Sequence, residues 1–202
     1  MTETHNEINF YPSDWNKWCN AVKNSAVSPS RDCRSQLNRF AARYRAAKLF
    51  DGIQHTPNAT EEWRRGFSAL LNVFLAYTAA ESLLTGYRLY KMPFEISLTD
   101  DSLAEELRGN KKLIKLLIAE TGKVKIGKKL KEHLQKFENE KSNDVGRVAK
   151  AIRNLVAHGT LTVDGANVDS LERSNCLLKL AEAVLELSNR EFSEFCKAAV
   201  VL

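Results

Sequence analysis

An all-α bundle, with one short β-hairpin late in the chain and a helical extension at its start, is the fold class that three observations predict. Apolar residues recur at spacings of three and four through most of the 202 residues. Helix-starting Ser, Thr and Asn and helix-ending glycines punctuate that pattern. One stretch alone, TLTVDGANV, combines strand-like alternation with the Asp-Gly pair of a tight type I′ turn.

The elements follow in order. Pro12 and Ser13 open a short helix reaching about Val22, and SAVSPSRD breaks it. A second helix covers about 32–50, with Leu37, Phe40, Tyr44, Ala47 and Phe50 on its inner side and Gly52 beyond its end. Asn58 followed by Glu61 has the spacing of a capping box, and the longest helix runs from there to about Tyr90. Its apolar stripe reads Phe67, Leu70, Leu71, Phe74, Thr78 and Leu84. Thr99 caps the short helix DDSLAEELR, whose first-turn acids suit the helix dipole. Gly109 and Gly122 bracket NKKLIKLLIAET, and a further helix spans about 128–140. The next covers about 143–158, the hairpin follows, and the last helix starts after Ser170 and reaches about Ala198. Residues 1–57 read as the helical extension packed on the bundle, and 58–202 as the bundle itself.

Composition bounds the function. With 44% hydrophobic and 27% charged residues the chain can bury a core. A formal charge of +5 permits a polyanionic partner without requiring one. Cys19, Cys33, Cys176 and Cys196 lie far apart, with no CxxC and no zinc-ribbon spacing. The polar start MTETHNEINF is no signal peptide, so free thiols in a reducing cytoplasm are expected. FSALLNVFLAYTAAESLLTGY is the most apolar stretch, but Asn72 and Glu81 interrupt it, which favours a core helix over a membrane span. The phosphate-binding glycine motifs and GxSxG are absent. His5, His55 and His133 are scattered, with no metal-ligand spacing, so no cofactor is expected.

The segment AKAIRNLVAHG carries the chemistry. Val145, Val148, Ile152, Leu155 and Val156 share one helix face. Asn154 and His158, four apart, share a side, and the Asn154 amide can hydrogen-bond the imidazole. Arg153 falls at the opposite margin of the stripe. A histidine before a capping Gly159 also suits a helix C-terminus on structural grounds alone. Glu81 sits within the apolar stripe of the long helix, so its carboxylate needs a buried donor, for which Arg153 is the best placed.

RNLVAHG resembles the R-x(4–6)-H signature of the HEPN superfamily (higher eukaryotes and prokaryotes nucleotide-binding), in which a polar residue often follows the arginine as Asn154 does here. The resemblance covers about 58–198 and implies a HEPN-like helical bundle. It implies a metal-independent endoribonuclease with Arg153, Asn154, His158 and Glu81 at the site. RNA would be cut by attack of its 2′-hydroxyl, leaving 2′,3′-cyclic phosphate and 5′-hydroxyl ends. It further implies a homodimer, two motif helices facing one cleft, and a role as toxin or antiviral effector, with an antitoxin as a possible partner. A non-catalytic HEPN-like module that binds nucleotide, RNA or protein is the alternative, and a helical DNA-binding protein a third. Lys111, Lys112, Lys123, Lys125, Lys128 and Lys129 are candidate contacts to an RNA backbone, or else a solvated helix face.

Overall fold

The computed structural model describes residues 10–54, 59–91, 97–123, 127–163 and 170–201. Eight helices form among them: α1 (Trp15–Lys23), α2 (Arg31–Leu49), α3 (Glu61–Tyr90), α4 (Asp101–Gly109), α5 (Lys111–Lys123), α6 (Lys128–Glu138), α7 (Val145–Ala157) and α8 (Leu171–Val201). The all-α bundle is what the periodicity predicts. α3 is the central element and packs against α2, α7 and α8. It is also the one helix among the described residues long and apolar enough to cross a membrane, and half of that window is buried inside the bundle.

Caps set most boundaries. Ser30 accepts from the Cys33 N–H at the start of α2. The side chain of Thr60, not Asn58, caps α3 by accepting from Trp63, and Asn58 lies outside the described residues. Asp100, not Thr99, caps α4 through the N–H of Leu103. Thr99 instead makes an isolated antiparallel bridge to Asp144.

The stripe expected on α3 is rotated from the one observed. Leu70 is buried, but Phe67, Leu71, Phe74, Thr78 and Leu84 are only half-buried. The core side carries Ala69, Val73, Ala76, Ala80 and Leu83. Alanines let neighbouring helices approach closely, so on this helix burial follows close packing rather than side-chain size. α1 and α2 share the same core. Trp18 stands 5.2 Å from Phe195, and Phe40 stands 5.3 Å from Phe192, ring centre to ring centre. Burying each such ring contributes roughly 1.5–3 kcal/mol.

The hairpin is a correction. Among the described residues no strand forms, and 160–163 make none; the rest of the stretch, 164–169, lies outside them. Leu161 and Val163 are both buried, so their alternation reflects two side chains tucked into a helical core, Val163 itself being helical. Two short strands alone would have had no sheet to join.

α7 is held at both ends. Asp144 caps it by accepting from the Arg147 N–H. Gly146 donates to the Leu98 carbonyl, and a methyl group there would lie 2.9 Å from the Leu98 Cβ. Arg108 of α4 donates to the carbonyls of Phe137 and Ser142, bracing the turn that leads into α7. At the far end His158 is the C-cap and Gly159 takes φ +65°. The N–H of Gly159 bonds the Val156 carbonyl, and that of Thr160 bonds Leu155, which is a Schellman termination.

Candidate functional site

α3 and α7 build the site together. Val148, Ile152 and Leu155 anchor the buried face of α7, which leaves Arg147, Lys150, Arg153, Asn154 and His158 on its other side. Arg153 is half-buried, and its guanidinium is gripped from two directions. Nη2 donates to Glu81 Oε2 at 2.7 Å, and Nη1 donates to Asn154 Oδ1 at 2.9 Å. The expected Glu81–Arg153 pair is thus present. The two side chains keep 37% and 27% of their surface exposed, so its Coulomb energy is modest and its main effect is orientation. Arg153 Nε is buried and has no hydrogen-bond partner among the described residues.

Because a guanidinium only donates, Asn154 must turn its oxygen toward Arg153. Its amide is therefore engaged sideways along the helix rather than with His158. The expected Asn154–His158 side-chain bond does not form. The link between those residues is the backbone N–H of His158 donating to the Asn154 carbonyl. The Asn154 NH2 group and the outer Nη hydrogens of Arg153 are left as donors for an anion.

His158 is exposed at the helix terminus, and its imidazole makes no hydrogen bond among the described residues. Five residues of helix place it about 7.5 Å along the axis and about 140° around it from Arg153. One chain therefore brings Arg153, Asn154 and Glu81 together and leaves His158 apart. His133 does not fill the gap. It is half-buried on α6 within electrostatic reach of Arg147 and Asp144, and burial first, then Arg147, holds it below the ordinary histidine value. Arg147 and His158 are separated by about 16 Å of helix. His5 and His55 lie outside the described residues.

Sequence reasoning missed three neighbours. Tyr77, buried on α3, is pushed up to about 12 by burial first and then by the Glu81 carboxylate. Lys150 is half-buried, with Arg147, Glu81, Arg88 and Arg153 within electrostatic reach. Arg147 pairs with Asp144 at 3.2 Å. The three-residue spacing of Arg147, Lys150 and Arg153 was a readable signal for this strip.

The lysine-rich segment lies on α5 and α6, which both pack against α7. Lys111, Lys112, Lys128 and Lys129 are exposed on α5 and α6. Lys123 is exposed and pairs with Glu120 at 2.6 Å, and Lys125 lies outside the described residues. Among the described residues no three His, Cys, Asp or Glu side chains gather to hold a metal ion. Comparison with family models, with curated proteins and with solved structures gives no match for this chain.

Proposed function

We propose that the chain is a metal-independent endoribonuclease of the HEPN type, working as a homodimer in the cytoplasm. The observation that carries the reading is the Arg153 fork, held by Glu81 and Asn154 with outward donors free, on the same helix as an exposed His158.

In this reading the scissile phosphate binds the free hydrogens of Arg153 and Asn154, which stabilise the negative phosphorane as charge develops. The imidazole of His158 takes the proton of the RNA 2′-hydroxyl. O2′ attacks phosphorus, the P–O5′ bond breaks, and the leaving O5′ takes a proton from the imidazolium of the partner subunit's His158. The products are a 2′,3′-cyclic phosphate and a 5′-hydroxyl. Glu81 is a positioning residue, acting through Arg153. The dimer answers the angular separation of Arg153 from His158, since two motif helices facing one cleft bring both histidines and both arginines to it.

The same separation favours one other reading, a non-catalytic module that binds RNA or nucleotide through Arg153 and Asn154. Purified protein incubated with a structured RNA and EDTA, beside Arg153→Ala and His158→Ala, separates the two. Cleavage with cyclic-phosphate ends, lowered about 10²–10⁴-fold by His158→Ala, is the expected result. Binding without cleavage favours the module. Preference for duplex DNA sinks both.

A further inference from the structure

The strip that α7 presents before Arg153 has a charge, Lys150, that makes no ion pair among the described residues. Arg147, Lys150 and Arg153 recur every third residue, rising about 4.5 Å and turning about 60° at each step. Arg147 is tied to Asp144 and Arg153 to Glu81. Lys150 lies between them, half-buried, with neither a hydrogen bond nor an ion pair among the described residues. Within its electrostatic reach are three cations, Arg147, Arg88 and Arg153, and one carboxylate, Glu81, already bonded to Arg153. Burial first, and then Arg147, holds the ammonium below the ordinary lysine value. A half-buried ammonium among guanidiniums is an unfavourable arrangement unless an anion joins it.

We propose that Lys150, flanked by Arg147, is a second phosphate-binding position on α7, holding the phosphodiester next to the one at Arg153. The ligand is then a single strand of RNA laid along the helix rather than one nucleotide. This rests on the ribonuclease reading only in that the strand held is the strand to be cut. The reach of two long side chains exceeds the 4.5 Å step, about one residue triplet of helix, so adjacent phosphates of one strand fit the pair.

The test uses the full chain carrying His158→Ala, titrated with a short single-stranded oligoribonucleotide over a range of salt. Each phosphate neutralised on a single strand contributes about 0.7 to the slope of log affinity against log salt. Lys150→Met should flatten the slope by about that amount. Lys150→Arg should restore it, and Lys197→Met should not change it. Lys150→Met removes a half-buried charge and keeps the aliphatic stem, so folding is retained, as thermal unfolding will show. Unchanged affinity and slope in Lys150→Met would overturn the proposal. So would no binding by the parent, or equal Lys150-dependent binding of a polyglutamate peptide. Cleavage by the chain with His158 intact is measured alongside. Lys150-dependent binding without cleavage removes the nuclease reading and leaves this site standing; cleavage with Lys150-independent binding does the reverse.

Discussion

On α5 and α6, Lys111, Lys112, Lys115, Lys128 and Lys129 stand out in solvent, and Lys123 meets a carboxylate one turn away on its own helix. On α7, Arg147, Lys150 and Arg153 are half-buried, and Arg153 reaches a carboxylate 72 positions earlier in the chain. Both regions are basic, and at the level of composition they look alike. Their physics differs. The exposed lysines keep their hydration and their rotamer freedom, so each acts as a mobile, salt-screened point charge. The α7 cations have lost part of that hydration, and Glu81 and Asn154 hold Arg153 in one geometry. A fixed, partly dry fork can recognise a phosphate at a defined place. A cloud of lysines can attract a strand but cannot aim it.

The sharpest way to break this contrast is a swap of chemistry at constant charge. Arg153→Lys keeps the cation but cannot bond Asn154 and Glu81 in the same fork. Cleavage in EDTA should fall by about 10²–10³-fold, while Lys128→Arg on α6 leaves it unchanged. Equal tolerance at both positions would mean the α7 geometry is incidental.

A smaller effect is expected from the support of the fork. Glu81→Gln should lower cleavage by about tenfold, or ~1.4 kcal/mol of activation free energy. Its unfolding free energy, from denaturant titration, should fall by no more than about 1 kcal/mol, since the pair is partly exposed. A large loss of stability with proportionate loss of activity would make Glu81 a purely structural partner.

The end of α7 gives a third test. Gly159→Ala places a Cβ at φ +65°, where nothing crowds it but the backbone itself resists. Urea unfolding should show a loss of about 1–2 kcal/mol. Removing the lysine cluster together, as Lys111, Lys112, Lys128 and Lys129→Ser, should change stability little. It should weaken RNA association in low salt while leaving the cleavage step intact. Stopped-flow association and single-turnover cleavage read the two effects separately.

The smallest effect concerns the buried phenol beside Glu81. Tyr77 keeps its proton in the folded chain up to about 12, whereas the unfolded chain releases it near the ordinary tyrosine value. Above pH 10 the unfolded state therefore binds fewer protons, and stability falls as pH rises. That slope should be shallower in Tyr77→Phe than in the parent, by up to about 1.4 kcal/mol per pH unit. Urea midpoints for the two proteins between pH 9 and 11 check it, with the buried thiols contributing equally to both.

Much of this site was legible before any fold was known. The spacing of Arg153, Asn154 and His158 follows from helix geometry. Glu81 meets Arg153 as expected, but with 37% of its side chain exposed, so the cost of a buried carboxylate is not what brings them together. What was misread had specific physical causes. Leu161 and Val163 alternate like a strand because both side chains tuck into the helical core, with no strand beside them among the described residues. Periodicity runs the α3 stripe through its largest side chains, while close approach of α2, α7 and α8 selects its alanines. Sequence spacing pairs Asn154 with His158. The Arg153 guanidinium, pulled toward Glu81, took its oxygen instead.

By itself the amino-acid sequence determined the helices, their caps within a residue or two, and the Gly159 stop, because these depend on local hydrogen bonds and periodicity. It also set which charges occur and at what helical spacing. Which of those charges became half-dry and oriented depends on how the helices pack. Burial and cross-helix partners are properties of packing. α5 and α6 also pack against α7, so the strip at Arg147, Lys150 and Arg153 differs from their lysines in burial: the strip is half-buried and the lysines are exposed.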